Sequence, residues 1–79
     1  MFYVYILKSE THAQVYTGFT TDLSKRIEDH NSGKSRHTNK FKPWFIVTYT
    51  AFSSELRARK FERYLKTGSG IAFARRHLL

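Results

Sequence analysis

The sequence predicts an α/β fold of the α+β type, in which helices flank a three-stranded, largely antiparallel sheet. Two segments rich in β-branched and aromatic residues, 2–8 and 14–20, are joined by a short polar stretch, which is typical of a β-hairpin. The segments 22–30 and 55–66 carry capping residues and apolar residues at helical spacing, so both are predicted to be helices. A third aromatic and β-branched segment, 44–52, completes the sheet.

The composition favours one folded domain over residues 1–79. Cysteine is absent, which excludes disulfides, thiolate zinc sites and cysteine nucleophiles. Aromatic residues make up 16% of the chain and supply the bulk of the core that so short a chain needs. The longest apolar run, 2–7, is far below the roughly 20 residues that span a bilayer, and it has neither the basic flank nor the cleavage site expected of a signal peptide. We therefore expect a cytoplasmic protein without a membrane partner.

The predicted hairpin gathers tyrosines on one face. Tyr3 and Tyr5 share a face of the first strand, and Tyr16 and Gly18 share a face of the second. One register of the hairpin places all three tyrosines together. A glycine within a strand leaves a gap where a side chain, a backbone or a ligand can approach closely.

The helix predicted over residues 22–30 carries an arginine and a histidine beside its apolar residues. Thr20 or Thr21 is expected to cap its start, and residues 31–33 to end it. Four side chains form one continuous stripe of about 100° on the helical wheel, namely Leu23, Ile27, Arg26 and His30. An arginine at the edge of a core either extends its charged head to water or serves a site.

The second half of the chain begins with residues 33–43, which have no periodicity and are predicted to be a long basic loop. The next segment, 44–52, is apolar on both faces, which favours a buried central strand. On the helix over 55–66, Glu62 lies just off the apolar stripe. Residues 67–70 are predicted to break this helix, and a short third helix follows through 71–78.

Positive charge is concentrated in the second half. The net charge is +8 overall, with three basic and four acidic residues up to Asn31, and eleven basic and two acidic residues from Ser32 onward. Such asymmetry favours an anionic partner, for which nucleic acid is the commonest case, although solubility alone explains a net charge of this size. The sequence contains no glycine-rich phosphate loop and none of the common metal-binding motifs, so most enzyme classes drop out. Tyrosines, an arginine–histidine pair and one helical carboxylate suit phosphodiester cleavage.

The order of these residues resembles the GIY-YIG nuclease superfamily, in its small single-domain bacterial form. Tyr3-Val4-Tyr5 is similar to the first family motif, and Tyr16-Thr17-Gly18 to the second, with eleven residues from tyrosine to tyrosine. Arg26 follows Gly18 by eight residues and precedes His30 by four, and Glu62 lies on a later helix, as in that family. Several relatives have a lysine directly after the second motif, where this chain has Phe19.

The resemblance implies a metal-dependent endonuclease that hydrolyses DNA phosphodiester bonds in repair, recombination or processing. It implies that Tyr16 is the general base or orients the attacking water, with Tyr5 beside it, while Arg26 neutralises the scissile phosphate and His30 supports or relays. Glu62 would hold a single Mg²⁺ or Mn²⁺ ion. The implied partner is DNA, together with a targeting protein, and no small-molecule cofactor is expected.

Four basic residues of the predicted loop are expected to contact backbone phosphates, namely Lys34, Arg36, Lys40 and Lys42. Simpler interpretations of the other residues stay open. Strand tyrosines are usually core rings, and Glu62 with Lys66 at i,i+4 is usually a surface salt bridge. The alternative functions are a nucleic-acid-binding module of the same fold with little or no activity, and a basic accessory protein on ribosomal RNA or on an acidic protein.

Overall fold

The computed structural model describes residues 1–79 and contains one antiparallel sheet of three strands. The strands are β1 (Phe2–Ser9), β2 (Val15–Thr20) and β3 (Trp44–Phe52), arranged in the order β2-β1-β3. The helices are α1 (Leu23–Ser32), α2 (Arg36–Asn39), α3 (Glu55–Leu65) and α4 (Gly68–His77). The predicted fold class is confirmed, and both strand pairs are antiparallel.

The central strand is β1, not β3 as the sequence predicts. β1 pairs with β2 on one side and β3 on the other, and four consecutive residues, from Val4 to Leu7, are buried. β3 lies at an edge of the sheet, and Phe45 and Tyr49 are exposed there. The prediction is wrong because an edge strand that keeps aromatic residues on its open face cannot be told from a buried strand by composition alone.

Alternate residues of β1 face two hydrophobic cores, one on each side of the sheet. Helices α3 and α4 cover one side, where the buried residues are Val4, Ile6, Ala58, Leu65 and Ala74. On the other side the buried residues are Tyr5, Leu7 and Trp44, and side chains of α1 pack against them. The tyrosine face of the sheet is thus covered only in part, by α1 and the segment that follows it.

Helix α1 begins one residue later than predicted, because Asp22 is its N-cap rather than its first residue. The Asp22 carboxylate accepts the backbone N–H of Lys25 at 3.1 Å. Thr20, the predicted cap, instead accepts the N–H of Asp22 at 3.0 Å and so holds the capping residue. Gly33 ends the helix in the left-handed conformation, at φ 86°, which favours glycine.

The predicted loop over residues 33–43 contains a helical turn, α2, so this prediction is corrected. The N–H of Asn39 donates to the carbonyl of Ser35 at 3.0 Å, and the turn buries Thr38. A single turn is too short to show a helical period in the sequence. The carbonyls of Phe41 and Pro43 accept hydrogen bonds from Ser9 and Glu10, which tie the end of the segment to the β1–β2 turn.

Helix α3 ends at Leu65, and α4 begins at Gly68 rather than after a break over residues 67–70. The Thr67 hydroxyl accepts the N–H of Gly70 at 3.1 Å and caps α4. A Cβ atom at Gly70 would overlap the Tyr64 carbonyl. The glycine here permits close packing of two helices, whereas the sequence pattern indicates only a helix breaker.

Candidate active site on the tyrosine face

The site is built around a close approach between Tyr5 and Gly18. These residues are direct partners in the β1–β2 register. The Tyr5 ring lies across Gly18, and a Cβ atom at Gly18 would overlap the Tyr5 hydroxyl and ring. The gap predicted at Gly18 is therefore filled by the phenol of the neighbouring strand, which brings its hydroxyl over β2.

Two of the three predicted tyrosines meet. The ring centroids of Tyr5 and Tyr16 are 6.3 Å apart, and Tyr16 lies 4.9 Å from the His30 ring. Tyr5 is fully buried and Tyr16 is half-buried. Tyr3 packs edge-on against Tyr49 of β3, with centroids 5.9 Å apart, so it does not join the other two as the sequence predicts.

Helix α1 places Arg26 and His30 beside the rings of Tyr5 and Tyr16. The half-buried Arg26 guanidinium lies close enough to the phenols of Tyr5 and Tyr16 for both to act on it. Interaction with these phenols, above all with Tyr5, raises the pKa of Arg26. Arg26 therefore lies beside the two phenols at the margin of the core.

His30 is buried between the sheet and α2. Its Nε2 lies 2.9 Å from the Tyr5 hydroxyl, and its Nδ1 lies 2.7 Å from the Thr38 hydroxyl. Burial lowers the pKa of His30, and the nearby charge of Arg26 lowers it further. Thr38 is a site-lining residue that the sequence analysis missed, because nothing in a short basic segment distinguishes one threonine from a surface residue.

Burial raises the pKa of Tyr5 from 10.0 to about 12. The nearby Arg26 guanidinium opposes this shift, and the charges of Tyr16 and Glu62 add to it. Tyr5 is consequently a neutral phenol at physiological pH, able to donate a hydrogen bond and poorly suited to accept a proton.

Glu62 lies on α3, close enough that its negative charge acts on the Tyr5 pKa. Its side chain is only 19% exposed. Lys66 Nζ lies 3.1 Å from one carboxylate oxygen, and Arg59 lies 4.0 Å from the other. The i,i+4 ion pair that the sequence allows is therefore present, within electrostatic range of the tyrosines.

Phe19 occupies the position where several relatives have lysine, and a cation of α3 lies over its ring. The Arg59 guanidinium lies 3.7 Å from the centroid of the Phe19 ring. The same guanidinium forms ion pairs with Glu55 and Glu62 of α3. A positive charge therefore lies at the junction of β2 and α3 although the residue after Gly18 is apolar.

The four basic residues predicted to contact phosphates lie in one segment that includes α2, and all are exposed: Lys34, Arg36, Lys40 and Lys42. Lys34 forms a 3.7 Å ion pair with Asp29. Lys40 lies 5.8 Å from the centroid of the Phe41 ring. Thr38 of this segment contacts His30, so the basic surface adjoins the buried histidine.

The acidic side chains could hold a metal ion only with few protein ligands. No group of three or more His, Cys, Asp or Glu side chains is placed to hold one. Glu62 is the acid whose charge acts on the Tyr5 pKa, so it is the carboxylate near the tyrosines. A single hard oxygen donor fits Mg²⁺, which keeps several waters when a protein supplies few ligands.

The family profile described as the GIY-YIG catalytic domain matches residues 1–71. The chain belongs to the GIY-YIG family. The match includes every site residue described above, and the resemblance predicted from the two tyrosine motifs is confirmed. The family is one of nucleases that act on nucleic acid, so the chain is a member of a nuclease-type domain family.

Similar proteins carry only a family designation. A UPF0213 protein of Staphylococcus haemolyticus is 40% identical over 68 residues, which are 85% of this GIY-YIG chain and 82% of that protein. A UPF0213 protein of Cupriavidus pinatubonensis is 35% identical over 75 residues, or 90% of this chain and 82% of that one. The solution NMR structure of the UPF0213 protein BH0048 from Bacillus halodurans superimposes with a TM-score of 0.56 at 35% identity, over 92% of this chain and 81% of that chain.

None of the helices has the length and apolar character needed to cross a membrane.

Proposed function

We propose that this GIY-YIG chain is a metal-dependent endonuclease that hydrolyses DNA phosphodiester bonds. The observation that carries the proposal is the convergence of Tyr5, Tyr16 and His30 at Gly18, with the Arg26 guanidinium beside the two phenols. These groups supply a site for water, a proton donor and a cation for an anionic transition state. The family membership and the adjoining basic segment support nucleic acid as the substrate.

Arg26 neutralises charge on the scissile phosphate in this proposal. A guanidinium presents several N–H donors in a fixed plane and stays charged, which suits the nonbridging oxygens of a phosphodiester. Arg26 already lies beside the phenols, on a helix that packs against the sheet, so little reorganisation is needed when a phosphate arrives.

Tyr5 and Tyr16 have different roles in this proposal. Tyr5, with its pKa of about 12, stays protonated and is held by its hydrogen bond with His30. Tyr16 is half-buried and adjoins the Arg26 guanidinium, so it is the phenol that can orient or deprotonate the attacking water.

Glu62 would hold one Mg²⁺ or Mn²⁺ ion, with water and phosphate oxygens completing its ligands. Such an ion supplies Lewis-acid stabilisation of the phosphate charge when bound. The present partners of the carboxylate, Lys66 and Arg59, compete with a metal ion for its oxygens. Weak metal binding in the absence of DNA follows from this competition.

Cleavage of duplex, single-stranded and branched DNA, with and without Mg²⁺ or Mn²⁺, tests the proposal in wild type and Glu62→Gln. We expect metal-dependent cleavage by the wild type, and loss of cleavage with retained DNA binding in Glu62→Gln. Glu55→Gln is the matched control, because Glu55 lies on the same helix and also pairs with Arg59. Full activity of Glu62→Gln, or of the wild type in chelator, would overturn the single-metal account.

One observation favours the second candidate, a nucleic-acid-binding module of the same fold. Both oxygens of Glu62 already have a cationic neighbour, which is the arrangement of a structural ion pair. Under this alternative the wild type and Glu62→Gln bind DNA equally, and neither cleaves it with either metal.

A further inference from the structure

A hollow opens on the tyrosine face of the sheet, where α1 begins. Its volume is about 310 Å³, and the rings of Tyr3 and Tyr49 line it together with four residues around the start of α1: Thr21, Asp22, Leu23 and Ser24. Tyr49 is 53% exposed. The hollow therefore presents an aromatic surface to solvent.

This hollow adjoins the candidate active site. Tyr49 is the direct partner of Tyr5 in the β1–β3 register, and paired residues of an antiparallel sheet lie on the same face. Leu23 lines the hollow and also packs against the buried cluster that contains Tyr5. Arg26 follows within about one helical turn, and its backbone N–H donates to the Asp22 carbonyl at 3.1 Å. A nucleotide chain with its scissile phosphate at Arg26 therefore has a neighbouring nucleotide within reach of the hollow.

The lining of the hollow suits a base and not a phosphate. No lysine or arginine lines it, and its one charged side chain is the Asp22 carboxylate, which repels an anion. Capping of α1 holds this carboxylate in place, since Oδ1 accepts the Lys25 N–H at 3.1 Å. Aromatic rings thus lie beside hydroxyl groups and a carboxylate, which match the flat face and the N–H donors of a nucleobase.

The Tyr49 ring is held by a neighbour that leaves a face open. The ring centroids of Tyr3 and Tyr49 are 5.9 Å apart, and the ring planes are inclined at 69°. An edge contact of this kind covers at most one face of the Tyr49 ring. Because the strand and Tyr3 restrict the ring before DNA arrives, stacking of a base costs little additional side-chain order.

We propose that Tyr49 is the stacking platform of a subsite that holds one unpaired nucleobase beside the scissile phosphate. A paired base is stacked on its neighbours within the duplex, so an unpaired base is the one that can lay its face against Tyr49. Every base has such a face, so the subsite favours unpaired nucleotides without distinguishing sequences. The position beside the scissile phosphate rests on the proposed function, whereas the stacking requires only that the chain binds nucleic acid.

Equilibrium binding of a fluorescent single-stranded oligonucleotide of mixed sequence, and of its duplex form, tests the subsite. The measurement is made in chelator, so that metal-dependent cleavage does not consume the DNA. Tyr49→Ala is expected to weaken single-strand binding about 5- to 100-fold, through the loss of one base–aromatic stack, and to change duplex binding less than about twofold. Tyr49→Phe keeps the ring and should bind as the wild type does.

Phe45→Ala is the matched control, because Phe45 is an exposed aromatic residue of the same strand. Its neighbour Ile46 packs against the cluster on the tyrosine face, so strand alternation places Phe45 on the opposite face. We expect this variant to bind both forms of DNA as the wild type does. A loss in Phe45→Ala equal to that in Tyr49→Ala would contradict a local role of Tyr49.

The salt dependence of single-strand binding separates stacking from charge. Stacking releases no counterions, so Tyr49→Ala should lower log affinity by the same amount at every salt concentration and leave the slope against log salt unchanged. A flatter slope in Tyr49→Ala would show that phosphate contacts are lost and would contradict a stacking role.

Unchanged single-strand binding by a folded Tyr49→Ala, or an equal loss on the duplex, would overturn the proposal, as would a wild type that does not bind single strands. If Tyr49→Ala does not fold, Tyr49→Thr takes its place, since threonine suits a strand. Tyr49-dependent binding without cleavage contradicts the proposed function and leaves the subsite standing. Cleavage by the wild type, with single-strand binding unchanged in Tyr49→Ala, has the reverse meaning.

Discussion

At the scale of single residues, the site contains two tyrosines whose surroundings differ. Tyr5 is buried, has a pKa of about 12 and lies between Arg26 and His30. Tyr16 adjoins the same arginine but is half-buried. Similar side chains can thus take different chemical roles because their environments differ.

Arg26→Ala is expected to reduce cleavage about 10²- to 10³-fold while changing DNA affinity little. A cation directed at charge that develops in the transition state contributes mainly to the rate. Lys25→Ala is the control, because Lys25 is the exposed neighbour on the same helix. Measured kcat and Kd values check the prediction. A variant that cleaves normally but unfolds at lower temperature would show that Arg26 serves packing.

Tyr5 is expected to titrate with a pKa of about 12, against an ordinary value of 10.0. Below pH 10 both the folded and the unfolded chain keep this phenol protonated. As the pH rises further, the unfolded chain loses the proton first, so the stability from the neutral buried phenol is lost between about pH 10 and 12. The loss is roughly 2 to 3 kcal/mol at 1.36 kcal/mol per unit.

Phenolate absorbance during an alkaline titration measures this shift. Tyr5→Phe should lack the titration step near pH 12, and its free energy of unfolding should fall less steeply over the same pH range. A wild-type titration that is complete near pH 10 would contradict the shift.

At the scale of secondary-structure elements, the strands and the longer helices could be predicted because hydrophobic periodicity and capping residues act locally. The strand order could not, since β3 exposes aromatic residues at the sheet edge. α2 was missed because it is one turn long and is stabilised by the contact of Thr38 with the buried His30, which no helical or strand period indicates. α4 starts early because Gly70 allows close approach to Tyr64.

The candidate site shows the same division between local and long-range information. Tyr5, Tyr16, Arg26 and His30 could be placed together because strand alternation and helical spacing fix their faces. Tyr3 was misplaced because its partner, Tyr49, lies on a strand whose neighbour the pattern does not specify. Local sequence patterns predict which site residues share a face of a strand or helix, but only the fold shows which residues they contact.

Gly18→Ala is expected to lower cleavage strongly while leaving DNA affinity nearly unchanged. The added Cβ atom would overlap the Tyr5 hydroxyl and ring, so the phenol must move away from Arg26 and His30. Gly68→Ala is the matched control, because a Cβ atom there meets no other atom within 4 Å. Kinetics with both variants and the NMR signals of the His30 ring check the prediction. Wild-type signals and rates in Gly18→Ala would mean that the close approach is not needed.

At the scale of the whole molecule, most of the positive charge lies outside the elements that carry the two site tyrosines, Arg26 and His30. The first 31 residues hold Tyr5, Tyr16, Arg26 and His30 at a net charge of −1, and the remaining 48 residues carry +9. Glu62 belongs to the second part, on α3, and the exposed basic residues of segment 33–43 adjoin the nearly neutral elements that carry the other site residues. A backbone held by exposed lysines and arginines is positioned without its bases being distinguished.

The salt dependence of DNA binding tests this separation. If about four to six phosphates are neutralised, the slope of log affinity against log salt should be near −4 to −5, at roughly −0.9 per contact on duplex DNA. Replacement of the four basic residues by alanine should flatten the slope by up to about 3 to 4 units and weaken unrelated sequences alike. These residues are Lys34, Arg36, Lys40 and Lys42.

The quadruple variant must first be shown to keep its site, because Thr38 lies among the replaced residues and holds His30. The NMR signals of the His30 ring serve as that check, since a displaced α2 would alter them. With these signals retained, an unchanged salt slope would remove segment 33–43 from the DNA interface and leave the exposed arginines of α3 and α4 as the phosphate contacts. A strong preference for one DNA sequence would instead contradict binding through phosphates alone, because backbone contacts carry no base information.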